Sequence, residues 1–232
     1  MCRRFSLDLD WNAVGRQFGI DDEDIDAQTL PTRTFRVEPE QKIGVIAADS
    51  RNERHLRGGS WSLIPSWSKS SKLAYPTYNA RMESAGEKPT FRDSMHSCRA
   101  IIPAEGYFEF KHDKPFYFHS SENSTLAMAW LYSWWRQNEF SPWLLTATIM
   151  TCEAIGGLAE IHNRMPLLVS ESRTEEWLDR TIGGSEIISE IHNESLSISE
   201  NLDYYEVAEP QPGEDGPQCI RPVTNVAPLS LF

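Results

Sequence analysis

Cys2 is the residue whose chemistry depends most on its place in the chain. A small residue beside an initiator Met is one that cellular aminopeptidases commonly uncover, and loss of Met1 leaves a 1,2-aminothiol. Its α-amine has an ordinary pKa of about 8 and its thiol one of about 8.5. An aldehyde reacts with both groups. The amine condenses to a Schiff base, and the sulfur then closes a five-membered thiazolidine, helped by intramolecular proximity. Taken alone, a cysteine here is more often an incidental second residue. Asn79 and Arg81 lie two apart, after a proline-containing loop. In an extended segment they point the same way. An amide that orients an amine and a guanidinium that grips a phosphate would then share one site. The alternative is a turn Asn beside a surface Arg.

Two further segments carry acid–base groups. In Ala104-Glu105-Gly106-Tyr107-Phe108-Glu109-Phe110-Lys111, a strand turns Phe108 and Phe110 one way and Tyr107 and Glu109 the other. A carboxylate between two aromatics is partly desolvated, which raises its pKa and suits proton transfer. The other reading of Glu109 is a solvent-facing residue opposite a core side. In Ile161-His162-Asn163-Arg164-Met165-Pro166, His162 stands at the mouth of an apolar run, Leu167-Leu168-Val169. An imidazole there exchanges a proton near neutral pH, or serves as a hydrogen-bonded structural residue. Arg164, two residues on, is within reach of a phosphate. His55, His96, His112, His119 and His192 show no metal-ligand spacing with the cysteines, so no metal site is expected.

Strands must position most of these groups. Residues 42–48, 56–64, 99–102, 106–111, 115–119, 125–134 and 143–151 read as strands from their β-branched, aromatic and alternating content. Helices are expected at 10–19, with Asp10 as N-cap and Trp11, Val14 and Phe18 on one face, and at 87–96, 153–159, 171–180 and 185–191. Residues 21–32 and 210–217 read as loops. Central strands with peripheral helices place the chain in the α+β class, around an antiparallel sheet or barrel. The length of 232 residues suits a single domain spanning 1–232, with a less typical acidic portion from about 170.

The net charge of −12 by itself argues against a nucleic-acid partner, but the charge is unevenly spread. Residues 51–118 hold 11 Lys/Arg against 7 Asp/Glu, whereas residues 119–232 hold 5 against 17. The basic centre could form an anion-binding groove, or be an unevenly charged solvated surface. The opening Met1-Cys2-Arg3-Arg4-Phe5-Ser6-Leu7-Asp8 has no apolar run like a signal peptide, and no stretch is long enough to span a membrane. The four cysteines at 2, 98, 152 and 219 form no C-x-x-C pair and are expected to stay reduced, in the cytoplasm.

Taken together, five blocks in order resemble the SOS response-associated peptidase (SRAP) family, whose members crosslink to abasic sites in single-stranded DNA. They are Met1-Cys2-Arg3-Arg4-Phe5, Trp61-Ser62-Leu63-Ile64-Pro65-Ser66-Trp67, Asn79-Ala80-Arg81-Met82-Glu83, Ile102 to Phe110, and Ile161 to Pro166. The resemblance implies that Cys2 is the covalent nucleophile, Asn79 holds its α-amine, Glu109 is the catalytic Glu, and His162 protonates the sugar oxygen. It also implies that Arg4, Arg81 and Arg164 engage DNA phosphates and that Trp67 packs against nucleotides, as in single-strand stacking platforms. No cofactor is implied, and on DNA the protein would be nucleoid-associated. Arg3 and Ser62 replace glycines usual in the family, Phe110 replaces a Trp, and Asn163 stands where Asp is common. Phe35-Arg36-Val37-Glu38-Pro39 only loosely matches a Tyr-Asn-x-Ala-Pro block. Two other functions fit the same residues. One is a thiol peptidase using Cys2, His162 and Glu109, including one whose cleavage is confined to its own Met1. The other is a noncatalytic single-strand binder with salt-sensitive affinity.

Overall fold

A computed structural model describes residues 2–223; Met1, and with it the removal of Met1, lies outside the described residues, as do 224–232. Twelve strands follow the chain: β1 (Arg4–Leu7), β2 (Thr34–Val37), β3 (Lys42–Ala48), β4 (Arg54–Trp61), β5 (Asn79–Arg81), β6 (Arg99–Ala104), β7 (Gly106–Lys111), β8 (Lys114–Ser120), β9 (Leu126–Trp135), β10 (Leu144–Glu153), β11 (Arg164–Pro166) and β12 (Leu202–Glu206). Six α-helices lie around them: α1 (Trp11–Gln17), α2 (Met82–Ala85), α3 (Arg92–Ser97), α4 (Gly156–Ile161), α5 (Thr174–Leu178) and α6 (Gly184–Glu200).

The strands form two sheets. One runs β12-β8-β7-β1-β2, antiparallel throughout. In the other, β10-β4-β3-β6-β9 closes on itself because β9 also pairs with β10, which makes a five-stranded barrel. Closure leaves those strands without a free edge. The α+β class with an antiparallel sheet and barrel is therefore what the chain adopts, although β4 and β5 pair with β10 in parallel.

β10 organises the site. Along one edge it pairs first with β4, at Thr146 and Ala147, and then with β5, at Ile149 to Thr151. Along its other edge it pairs with β9 up to Ile149 and then with β11 from Thr151 to Glu153. The segments carrying Asn79 and Arg164 thus flank the same few residues of one strand. Beneath them, the Phe5 ring packs 5.0 Å from Trp61 and 5.9 Å from Trp130, which themselves lie 5.4 Å apart. These three rings are fully buried and join β1 to the barrel interior, where side chains of this size contribute most to stability. The Trp61 indole N–H donates to the Tyr78 carbonyl at 2.8 Å, which fixes the chain immediately before Asn79.

Several boundaries move from the sequence expectation for identifiable reasons. The strand expected over 56–64 is Arg54–Trp61, because Ser62 takes a φ of 136° and turns the chain out of extended geometry, its amide still donating to the Ala147 carbonyl at 3.0 Å. That φ lies on the left-handed side of backbone space, where glycine is the unstrained residue. The helix expected over 87–96 is Arg92–Ser97, beginning only after Pro89 and a turn. The helix at 171–180 is a 3-10 turn, Glu171–Arg173, followed by Thr174–Leu178, while that at 185–191 extends to Gly184–Glu200. At 10–19 the helix is Trp11–Gln17, with the Asp10 carboxylate accepting from the amides of Asn12 (2.9 Å) and Ala13 (3.2 Å) as an N-cap. β12 lies where the sequence predicts no element; its pairing with β8 along Leu202 to Glu206 makes it a strand.

Candidate active site

The two sheets meet at the site. β1 runs antiparallel to β7 with Arg4 opposite Phe108, so Cys2 continues alongside the end of β7 that carries Glu109. Across the junction, Asn79 Nδ2 donates to the Cys2 carbonyl at 2.9 Å. The other amide atom, Asn79 Oδ1, is buried and has no hydrogen-bond partner among the described residues. An acceptor buried in this way is costly unless a donor reaches it. His162 Nδ1 lies 3.9 Å from Glu109 Oε2, the second bridge between the sheets.

Burial governs the chemistry of these groups. Glu109 is 3% exposed, which rules out the solvent-facing alternative for this strand position. Desolvation pushes its pKa up to about 7, with the positive charge of Arg3 and the Phe110 amide opposing the shift. Cys2 is fully buried, and desolvation, followed by the nearby Glu109 carboxylate, raises its thiol well above the usual range. Tyr107, on the same face of β7 as Glu109, is raised by burial first and by the proximity of Cys2 and Glu109 second. His162 is lowered by desolvation, which outweighs the opposing hydrogen bond with the Arg164 backbone, so it is neutral at neutral pH. Its Nδ1 accepts from the Arg164 amide at 3.0 Å, and that contact assigns the proton of the neutral ring to Nε2. When the ring is protonated, Nδ1 can donate instead to the Arg164 carbonyl at 3.2 Å or to Glu109.

The three arginines differ sharply. Arg81 is exposed and forms no ion pair among the described residues. The Arg164 guanidinium grips Glu83 through both oxygens, at 2.7 and 2.9 Å, and also donates to the Thr151 carbonyl. The Arg4 side chain is 9% exposed and held between Glu38 and Glu209, at 3.1 and 3.0 Å, over the rings of Phe108 and Phe110. Trp67 is half exposed on the loop between β4 and β5, its indole N–H aimed at the Pro89 carbonyl, 3.4 Å away. The fold thus gathers Cys2, Asn79, Glu109 and His162, sets Arg81 and Arg164 beside them, and leaves Trp67 on a neighbouring loop. Sequence reasoning missed Glu83, Thr151, Glu38 and Glu209. Glu83 ends one of the quoted blocks and Glu38 sits where the loosely matched block normally has Ala, so both left a trace; Glu209 left none. Elsewhere, Asp49, Glu53 and His55 bring possible ligand atoms within 4.8 Å of one another on the β3–β4 turn. Arg51 already pairs with both carboxylates there.

A family model for SOS response associated peptidase (SRAP) matches residues 1–210. The chain belongs to the SRAP family. Among SRAP relatives, abasic site processing protein YoqW of Bacillus subtilis is 35% identical over 184 residues, which cover 77% of this chain and 80% of that protein. Abasic site processing protein YedK of Escherichia coli is 29% identical over 171 residues, 71% of this chain and 73% of that one. Abasic site processing protein HMCES of Pongo abelii is 27% identical over 222 residues, 79% and 61% respectively. A solved structure of a protein from Bacteroides thetaiotaomicron shares the SRAP chain's fold, with a TM-score of 0.76 and 22% identity over 96% of this chain and all of that one. The SRAP match ends one residue beyond Glu209, so it takes in every residue of the site. Among the described residues, no helix is long and apolar enough to cross a membrane.

Proposed function

We propose that this protein traps abasic sites in single-stranded DNA as a thiazolidine on Cys2, once Met1 has been removed. One observation carries the reading: Asn79 donates to the Cys2 carbonyl while its own buried Oδ1 lacks a donor among the described residues. A freed Cys2 α-amine supplies that donor one residue's width away, and the amide then aims the nitrogen lone pair at the incoming carbon.

The closed abasic sugar opens first. The imidazolium form of His162 gives its Nε2 proton to the ring oxygen while ionised Glu109 takes the proton of the C1′ hydroxyl, which gives the C1′ aldehyde, a C4′ hydroxyl and neutral His162. The neutral amine of Cys2 attacks C1′, and loss of water forms the Schiff base. Sulfur then adds to the same carbon while the thiol proton passes to nitrogen, directly or through Glu109, and the ring closes. The raised thiol pKa supports this order. A thiol kept protonated is a poor first nucleophile, which favours amine-first capture over thiolate attack on a peptide. Around the centre, Arg81 and, after release from their carboxylates, Arg4 and Arg164 hold phosphates, and Trp67 stacks a flanking base. The carbon, nitrogen and sulfur chemistry balances without a cofactor. A cytoplasmic setting, on DNA when engaged, accords with this role.

The test is the intact mass of protein beginning at Cys2 after mixing with a single-stranded oligonucleotide bearing one abasic site. The expected product weighs protein plus oligonucleotide less one water, and disappears when methoxyamine blocks the aldehyde. Chains shown to begin at Cys2 that give no adduct would overturn the proposal, as would full adduct from chains that retain Met1.

A further inference from the structure

Arg4 stands two residues from Cys2, yet its guanidinium is saturated by the protein itself. Nε and Nη2 donate to Glu38 Oε1 at 3.2 and 3.1 Å, while Nη1 and Nη2 donate to the two oxygens of Glu209 at 3.1 and 3.0 Å. The two carboxylates come from unrelated parts of the chain. Glu38 follows β2 and also binds Arg36 Nε at 2.9 Å. Glu209 belongs to the acidic segment after β12, which is fastened along β2 by two more contacts: Asp215 accepts from the Phe35 amide at 2.7 Å, and the Gln211 carbonyl accepts from Arg36 at 3.2 Å. Glu209 is the more accessible partner, its side chain 48% exposed against 35% for Glu38.

We propose that Glu38 and Glu209 are specificity-determining residues that hold Arg4 against undamaged strands, so that retention depends on the covalent bond at Cys2. The inference rests on the proposed trapping function. A phosphodiester reaching Arg4 must take the place of at least one carboxylate, which exchanges one singly charged oxyanion for another. The favourable release of bound salt that normally drives phosphate binding is then offset by exposing a protein carboxylate beside the DNA. An undamaged strand gains little from Arg4. An abasic strand is kept by its bond to Cys2, whatever Arg4 contributes. The same exchange lets a chain of net charge −12 handle DNA without a broad basic surface.

The experiment compares the full chain with its Glu38→Gln/Glu209→Gln variant. Fluorescence anisotropy measures affinity for an undamaged single-stranded oligonucleotide at several salt concentrations, and gel analysis measures adduct on the same oligonucleotide with one abasic site. Affinity for the undamaged strand should rise about five- to tenfold and its log–log salt slope steepen by about 0.7, one phosphate contact's worth on single strands. Adduct yield at saturating oligonucleotide should stay level, so discrimination falls. Glu190→Gln/Glu200→Gln, which removes the same charge from exposed positions of α6, is the control. Adding Arg4→Gln to the first double variant should abolish the gain. Should that triple variant fail to fold, Glu209→Gln alone, compared with Glu190→Gln alone, still reads a smaller gain. An increase no larger than the control's, or one that survives loss of Arg4, would overturn the inference. Absence of adduct from the unaltered protein would bring down the trapping function instead, while the undamaged-strand measurement still decides the role of the two carboxylates.

Discussion

The chemical centre and the arginines around it solve opposite electrostatic problems. At the centre, Cys2, Glu109 and Tyr107 are stripped of water, and burial raises all three pKa values. There burial disfavours the charged forms, which keeps the Glu109 proton available for transfer near neutral pH. Around the centre, Arg4 and Arg164 are matched by three carboxylates before any ligand arrives, whereas Arg81 forms no ion pair among the described residues. Under the proposed function, the first arrangement creates reactivity, while the second suppresses indiscriminate binding. A site that must react with any abasic sugar but let go of ordinary DNA needs both.

The sharpest way to break this contrast is at Cys2. Cys2→Ala with Met1 removed should still condense with the abasic aldehyde, since the amine remains, but the adduct should need borohydride to survive heating in detergent. Heat-stable adduct should fall by at least about a hundredfold on a denaturing gel, given the effective molarity that ring closure normally enjoys. Equal heat-stable yield from the variant would exclude the thiazolidine.

Glu109 comes next. The rate of adduct formation should rise with pH through an inflection near 7 as Glu109 ionises, and Glu109→Gln should remove that inflection and slow the reaction about a hundredfold. The same residue makes a stability statement. Its folded pKa lies above the ordinary value of 4.5, so its favourable contribution is complete below pH 4.5 and is lost as pH rises through about 7. Above that, ionisation costs the fold up to about 3 kcal/mol. Glu109→Gln should therefore unfold at higher denaturant than the unaltered protein at pH 8.5, and a lower midpoint there would mean that the carboxylate is better solvated than its burial implies.

A smaller effect sharpens the outer half of the contrast. Arg81→Ala should weaken binding to undamaged single strands several-fold and reduce the log–log salt slope by about 0.7, with little change in the adduct formed at saturation. Arg4→Ala and Arg164→Ala should change that slope less, because each arginine is already neutralised. Equal slopes for all three variants would erase the distinction between the bare and the guarded arginines. The mildest effect is backbone strain. Ser62 holds a φ of 136°, and Ser62→Gly should stabilise the fold by about 1 kcal/mol in a urea titration, without altering adduct yield.

The centre was legible in the sequence because its parts are carried by short contiguous blocks. Alternation in β7 put Glu109 and Tyr107 on one face, and the structure keeps Tyr107 in the main core while Phe108 packs in a separate small cluster with Tyr117 and Val207. The Trp61 block and the Phe5 block were visible as motifs, but their contact, a 5.0 Å ring packing between sheets, was not. The surrounding carboxylates were hidden for a different reason. Glu38 and Glu209 are 34 and 205 residues from Arg4, and nothing local marks them as its partners. A charge count saw an acidic C-terminal third but not where it lies down. Likewise β12, Leu-Asp-Tyr-Tyr-Glu, becomes a strand only because β8 offers an edge to it.

β10 also acts as a gauge. At Thr151 it is flanked by Arg81 on one side and Pro166 on the other. Adjacent strands in a sheet stand about 4.8 Å apart, so the backbones of Arg81 and Pro166 are held about 10 Å from each other across Thr151. That width is set by peptide hydrogen bonding and cannot be retuned by side-chain substitution. Lengthening or trimming the far end of the β9–β10 hairpin, at residues 136–143, leaves it untouched. The hairpin tip is thus the natural place to graft a fluorophore or an affinity handle, since a label there leaves the pairing around Thr151 undisturbed.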